Sequence, residues 1–167
     1  MTLDAFNLLS RDQLKEQLTH CCGSTAWVEA MIKKVPFKST DELLRYSEEI
    51  WQATKPEDWK EAFQHHPKIG DTASLEKKFA STAKWAESEQ GSVKQASSEI
   101  IEALAAGNRL YEQKFGFIFI VCATGKSATE MLDLLQARLP NSMDEELKTA
   151  MLEQQKITQI RLNKLLT

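Results

Sequence analysis

An all-α fold is what this 167-residue chain predicts: a single-domain bundle of about seven to nine helices over residues 1–167, with one short extended segment near 117–122. Three observations lead there. Helix start signals followed by apolar residues at helical spacing recur almost from end to end. Only one continuous run is β-prone, and no repeat, low-complexity tract or linker interrupts the pattern.

Ser10 and Gln13 have capping-box spacing, and Leu14 and Leu18 continue one face as far as Gly23. Trp27, Met31 and Ile32 mark a second, short helix closed by Pro36. Thr40 is placed to cap a third, carrying Leu43, Leu44, Ser47, Ile50 and Trp51. Thr54 with Glu57 is expected to box the next, which runs through Trp59, Ala62 and Phe63 into His66. Leu75, Phe79 and Ala83 predict a further helix, followed by the polar break Glu87-Ser88-Glu89-Gln90-Gly91. A long helix from about Val93 to Phe115 bears Ala96, Ile100, Leu104, Leu110 and Tyr111 and stops at Gly116. Ser127 with Glu130 starts a helix carrying Leu132, Leu135 and Leu139 that Pro140 stops. Ser142 with Glu145 starts the last, with Leu147, Met151, Ile157 and Ile160.

Phe117-Ile118-Phe119-Ile120-Val121-Cys122 is the β-prone run. A lone strand has no ladder to satisfy its backbone, so the run is either the last turns of a helix or an extended segment buried for another reason, such as presenting amides to a cleft.

Composition narrows the function. A net charge of −3 argues against nucleic acid and anionic membrane surfaces as partners, and no apolar stretch approaches the roughly 20 residues that span a bilayer. Cys21, Cys22 and Cys122 cannot all pair with one another, and nothing at the start resembles a secretory leader, so a reducing cytoplasm is expected. The final Leu165-Leu166-Thr167 is not a peroxisomal address.

The most chemical stretch is His65-His66-Pro67-Lys68-Ile69-Gly70-Asp71. A residue before proline is pushed out of the helical region, so a helix should break at His66. The unpaired carbonyls there favour imidazolium, which should raise the His66 pKa towards physiological pH. His20, Cys21, Cys22, His65 and His66 are potential metal ligands, but adjacent side chains on a helix point about 100° apart and the spacing of separated pairs is missing. No metal site is therefore expected, and Cys21 and Cys22 read as buried helix residues. No nucleophile-elbow motif occurs, and Ala123-Thr124-Gly125-Lys126-Ser127 matches only the tail of a phosphate loop. What remains is an acid/base pair: His66 with a carboxylate from the 87–90 break, and arginine for an anionic or carbonyl-rich ligand.

Five blocks then stand in register: His66-Pro67-Lys68-Ile69-Gly70; Glu89-Gln90; Asn108-x-x-Tyr111-x-x-x-Phe115-Gly116 running on to Cys122; Arg138-Leu139-x-Asn141; and Ile160-Arg161-Leu162. Together they resemble the ureidoimidazoline decarboxylases, which convert 2-oxo-4-hydroxy-4-carboxy-5-ureidoimidazoline (OHCU) to (S)-allantoin in urate breakdown. The resemblance implies an all-α, homodimeric enzyme that needs no cofactor. It implies His66 and Glu89 as catalytic residues, with Pro67, Ala86, Gln90, Phe119, Ile120, Val121, Cys122, Ala123 and Arg161 against the substrate. Two positions depart from the family pattern: Ala86 stands where a serine is common, and Ile118 where a proline is common. The competing readings are a non-enzymatic helical interaction module and a related ureide hydrolase.

Overall fold

The computed structural model describes residues 1–67, 72–79 and 90–167, apart from the side chains of residues 78, 79 and 90–97. Among the described residues there are nine helices and no strand. The chain divides into two compact units. One comprises Met1–His66, Ile120–Cys122 and Leu147–Thr167, the other Pro67–Phe119 and Ala123–Glu146.

The first unit begins with α1 (Leu3–Asn7), a short helix that the sequence pattern does not announce, capped by Thr2. The predicted box caps α2 (Arg11–Cys21) in both directions: Ser10 Oγ accepts from the Gln13 amide, and the Gln13 side chain accepts in return from Ser10 N at 3.0 Å. Ser24 caps α3 (Thr25–Ile32). Ser39, not Thr40, caps α4 (Thr40–Ala53); its hydroxyl accepts from Glu42 N, and Thr40 is the first helical residue. The start of α5 (Pro56–Gln64) also shifts by one residue. Lys55 occupies the cap and the Asp58 carboxylate accepts from its amide at 3.0 Å, so Thr54–Glu57 is not the box. Pro56 explains the shift, because it has no amide to leave unpaired and its fixed φ suits the first helical position. Thr54 instead accepts from the Trp59 indole at 3.0 Å.

The core of this unit is Phe6, Leu14, Leu18, Trp27, Val28, Met31, Phe37, Leu43, Trp51 and Leu162, with both Cys21 and Cys22 among them. Each aliphatic or phenyl side chain so buried contributes roughly 1.5–3 kcal/mol relative to exposure. The indoles bury their N–H groups with partners, Trp27 on the Ser47 carbonyl at 3.1 Å and Trp51 on the Met151 carbonyl at 2.9 Å. The second bond ties α4 to the last helix, α9 (Met143–Leu165), whose first turn belongs to the other unit and whose remainder belongs to this one.

The second unit contains α6 (Thr72–Phe79), α7 (Gln90–Phe115) and α8 (Ala128–Arg138). Ala83, expected to extend α6, lies outside the described residues. Of the stripe expected on α7, Leu104 and Tyr111 are buried and Ile100 half-buried, whereas Leu110 is exposed. Gly116 ends α7 with φ +77°, a conformation that costs glycine nothing. Ser127 caps α8 by accepting from Glu130 N. Residues 117–123 are neither helical nor paired in a ladder, as one branch of the sequence reading requires.

Candidate active site

Three contacts set the carboxyl end of α5. Glu61 accepts from the amide and hydroxyl of Thr25 at the start of α3. His65 packs on Gly23, so closely that a Cβ there would lie 2.3 Å from His65 Cγ and 2.5 Å from its Cβ. The backbone then turns, His65 N donating to Ala62 O at 3.1 Å and His66 N to Phe63 O at 3.3 Å, before Pro67. His66, half-buried, is left pointing its Nε2 at the side-chain oxygen of Gln154 on α9.

Gln154 is fully buried, and its own orientation is settled by a neighbour. The Thr158 hydroxyl has one proton, which it donates to the Gln154 backbone carbonyl at 3.0 Å. It can therefore only accept from the Gln154 amide nitrogen, 3.1 Å away. The amide oxygen must then face His66. Thr158 also touches the Cys22 thiol, which burial pushes up to about 12 and so keeps protonated; Cys21 is raised to about 11 for the same reason.

Arg161 lies one turn further along α9. Its Nη1 donates to the His20 and Cys21 carbonyls at 3.3 and 3.5 Å, where α2 ends, and among the described residues its Nη2 and Nε carry no hydrogen bond. An open depression of about 480 Å³ beside it is lined by Gln17, His20, Cys21, Arg161, Lys164 and Leu165.

The His66 pKa moves opposite to the helix-end expectation. Burial lowers it most; the Gln154 bond, the next largest influence, raises it, and the fields of Arg161 and His65 lower it again. Loss of hydration outweighs the helix carbonyls, so the ring is neutral at pH 7.

Of the expected site residues, His66, Ile120, Val121, Cys122 and Arg161 fall in the first unit, with Ile120 and Cys122 buried. Glu153 on α9 anchors this short segment: its Oε1 accepts from Cys122 N at 3.3 Å while Oε2 pairs with Lys156 at 2.6 Å. Pro67, Phe119, Ala123 and Gln90 fall in the second unit. The side chain of Gln90, and the whole of Ala86 and Glu89, lie outside the described residues. In the second unit Phe119 stacks edge-on to Tyr111 at 5.2 Å and receives the Arg138 guanidinium 4.5 Å from its ring centre. Among the described residues no cluster of three or more His, Cys, Asp and Glu side chains could hold a metal ion.

Sequence reasoning misses Gln154, Glu153 and Thr158. Their positions fall within the arc of the apolar stripe Leu147, Met151, Ile157 and Ile160, but as polar side chains they read as solvated. The structure buries Glu146, Ala150, Glu153, Gln154, Thr158 and Leu162 instead. The available signal is the four-residue step from Gln154 to Thr158 and three more to Arg161, which puts all three on one face.

An all-helical protein that grips a half-buried imidazole by a buried amide, beside an arginine, has the makings of an acid/base enzyme. The family profile described as OHCU decarboxylase matches residues 7–163, and the chain belongs to that family. It is 39% identical over 148 residues to the uric acid degradation bifunctional protein TTL of Arabidopsis thaliana, covering 87% of this chain and 45% of that protein. With the 2-oxo-4-hydroxy-4-carboxy-5-ureidoimidazoline decarboxylase of Haloferax volcanii it shares 25% identity, over 97% of this chain and 94% of the relative. A crystal structure of OHCU decarboxylase in the presence of (S)-allantoin superposes with a TM-score of 0.73 at 36% identity, covering 90% of this chain and 97% of the other. The chain thus spans less than half of the Arabidopsis relative and nearly all of the Haloferax one.

Proposed function

We propose that this chain decarboxylates OHCU to (S)-allantoin and CO2, delivering one proton to one face of the product. The observation that carries the reading is His66: in a member of this family, the histidine of the His-Pro motif is half-buried, neutral and held by a buried amide. The substrate carries its carboxylate on a carbon next to an imine, so it supplies its own electron sink. The protein has to orient the scissile bond, stabilise developing charge and move one proton.

Neutral His66 accepts the proton of the substrate hydroxyl and becomes imidazolium. The carbon–carboxylate bond breaks, its electron pair passes into the adjacent imine system, and CO2 leaves. The proton then returns from the ring to carbon as the hydroxyl oxygen becomes a carbonyl, and the former imine nitrogen takes a proton from solvent to complete neutral allantoin. Glu89 assists at the hydroxyl and holds the transient imidazolium by opposite charge. Arg161 aims its unused edge at ring or ureido carbonyl oxygens, because pairing with a carboxylate about to vanish would stabilise the ground state more than the transition state. Pro67, Ala86, Gln90 and residues 119–123 line the substrate.

In this reading residues 1–167 act as one catalytic domain, as a profile match running through segments of both units supports. The family resemblance supports a homodimer, which light scattering on the eluted protein tests. Cytoplasmic placement is supported by three buried cysteines that form no disulfide, and none of the described helices is long and apolar enough to cross a membrane. The decisive assay supplies freshly hydrolysed hydroxyisourate and follows (S)-allantoin by circular dichroism. Release of ammonia or urea instead of CO2 would replace the reading with a hydrolase. His66→Asn should lower turnover by roughly 10²–10⁴, and a variant within about threefold of the parent would remove His66 from the chemistry.

A further inference from the structure

We propose that Gln154 and Thr158 are positioning residues that fix His66 as its Nε2–H tautomer, leaving Nδ1 as the nitrogen that takes and returns the proton. The inference rests on the catalytic role proposed for His66, and it names which atom of the ring does the work.

A neutral imidazole has one donor and one acceptor nitrogen, and the partner of one decides the function of the other. The Gln154 oxygen can only accept, so the nitrogen facing it must carry the proton. The amide could reverse if rotation about its last bond were free, presenting NH2 and demanding the opposite tautomer. Thr158 prevents this. Its single proton is committed to the Gln154 backbone carbonyl one turn back, so its oxygen has only lone pairs to offer the amide. A reversed amide would set two acceptors face to face in a site where Gln154 is fully buried and Thr158 nearly so.

The order is therefore directional: helix backbone, Thr158 hydroxyl, Gln154 amide, His66 ring. The other groups acting on His66 are Arg161 and His65, whose fields oppose its protonation but do not choose between nitrogens. Cys22, protonated beside Thr158, offers only a weak sulfur acceptor, so the hydroxyl proton stays on the Gln154 carbonyl. The arrangement suits a base that must be neutral at rest and still tolerate charge. When Nδ1 takes the substrate proton, Nε2–H remains bonded to the Gln154 oxygen, a bond that strengthens as the ring becomes cationic.

The test is nitrogen-detected NMR of the histidine ring in the full chain, run beside kinetics on Gln154→Leu, Gln154→Glu and Thr158→Val. His66→Asn assigns the signal. The parent should show a protonated Nε2 and an unprotonated Nδ1. Gln154→Leu should mix the tautomers and lower kcat by roughly 10–100-fold, the range for outer partners that orient a histidine, with KM within about twofold. Thr158→Val should give a smaller loss of the same kind. Gln154→Glu should keep the parent tautomer and move the acid limb of the kcat/KM profile to higher pH, because a carboxylate favours imidazolium. A parent ring protonated on Nδ1 overturns the proposal whatever the variants do, as does Gln154→Leu with unchanged tautomer and kcat. An active His66→Asn would instead sink the functional reading and leave the tautomer result standing.

Discussion

Removing the Glu146 carboxylate should be among the most destabilising single changes in the second unit. Glu146 is fully buried on the first turns of α9, and its Oε1 accepts from Arg138 Nε at 2.5 Å and from the Tyr111 hydroxyl, while Oε2 accepts from Asn141 Nδ2 at 3.1 Å. Arg138, only 7% exposed, also donates to the Tyr111 oxygen at 3.3 Å. Burial and the Glu146 bond hold the Tyr111 phenol well above its ordinary pKa, so it remains a donor. Glu146→Leu takes from a nearly buried guanidinium the carboxylate that pairs with it, which costs about 3–5 kcal/mol. For a chain of this length that lowers Tm by roughly 6–20 °C. The double variant Glu146→Leu/Arg138→Met should recover at least half of the loss, since the buried guanidinium that lost its carboxylate is gone. Adding Tyr111→Phe should recover most of the rest by removing the orphaned hydroxyl, worth about 1–3 kcal/mol. Urea and thermal unfolding of the four proteins measure the series. A single variant within about 1 kcal/mol of the parent, or a double variant less stable than the single, would refute the electrostatic reasoning.

Four other outcomes follow from the site. The kcat/KM of the decarboxylation should fall on the acid side with a pKa below the ordinary histidine value of 6.5 and stay flat above pH 7; an acid limb centred above 7 would contradict a ring kept neutral. The same lowered pKa makes the unfolded chain bind more protons, so this group's contribution to stability is full above about pH 6.5 and is lost as pH falls from there towards the folded value, which unfolding at stepped pH in parent and His66→Asn would measure. Gly23→Ala drives a methyl into the His65 ring root and should cost about 1–3 kcal/mol together with activity, since His66 is the next residue; an alanine variant as stable and as active as the parent would deny that the contact positions the turn. Arg161→Lys loses the two-pronged donor face and should slow turnover by roughly 10–100-fold, while unchanged kinetics would take Arg161 out of the site.

The helices after α1 are legible because each is announced locally. A cap side chain, an apolar step of three or four residues and a stop at Gly or Pro all act within a turn or two of the chain. Errors of one residue occur at Thr40 and Thr54, where two candidate caps compete and proline geometry or the neighbouring serine decides. Leu110 fails for another reason. Periodicity says which residues share a helix face, not how wide a neighbour covers it.

By sequence alone, the all-α class, the His-Pro turn, the irregular run after Gly116 and the family resemblance were already determined, because they depend on short-range sterics and on motif order. Only the folded chain decided which residues of that face of α9 are buried most deeply, and they are Glu153, Gln154 and Thr158 rather than the more apolar residues beside them. It also reversed the sign of the His66 shift. Both outcomes have one cause. Desolvation and long-range pairing depend on what other segments bring to a site, here a bond between residues 88 positions apart, and no local pattern around His66 encodes that partner.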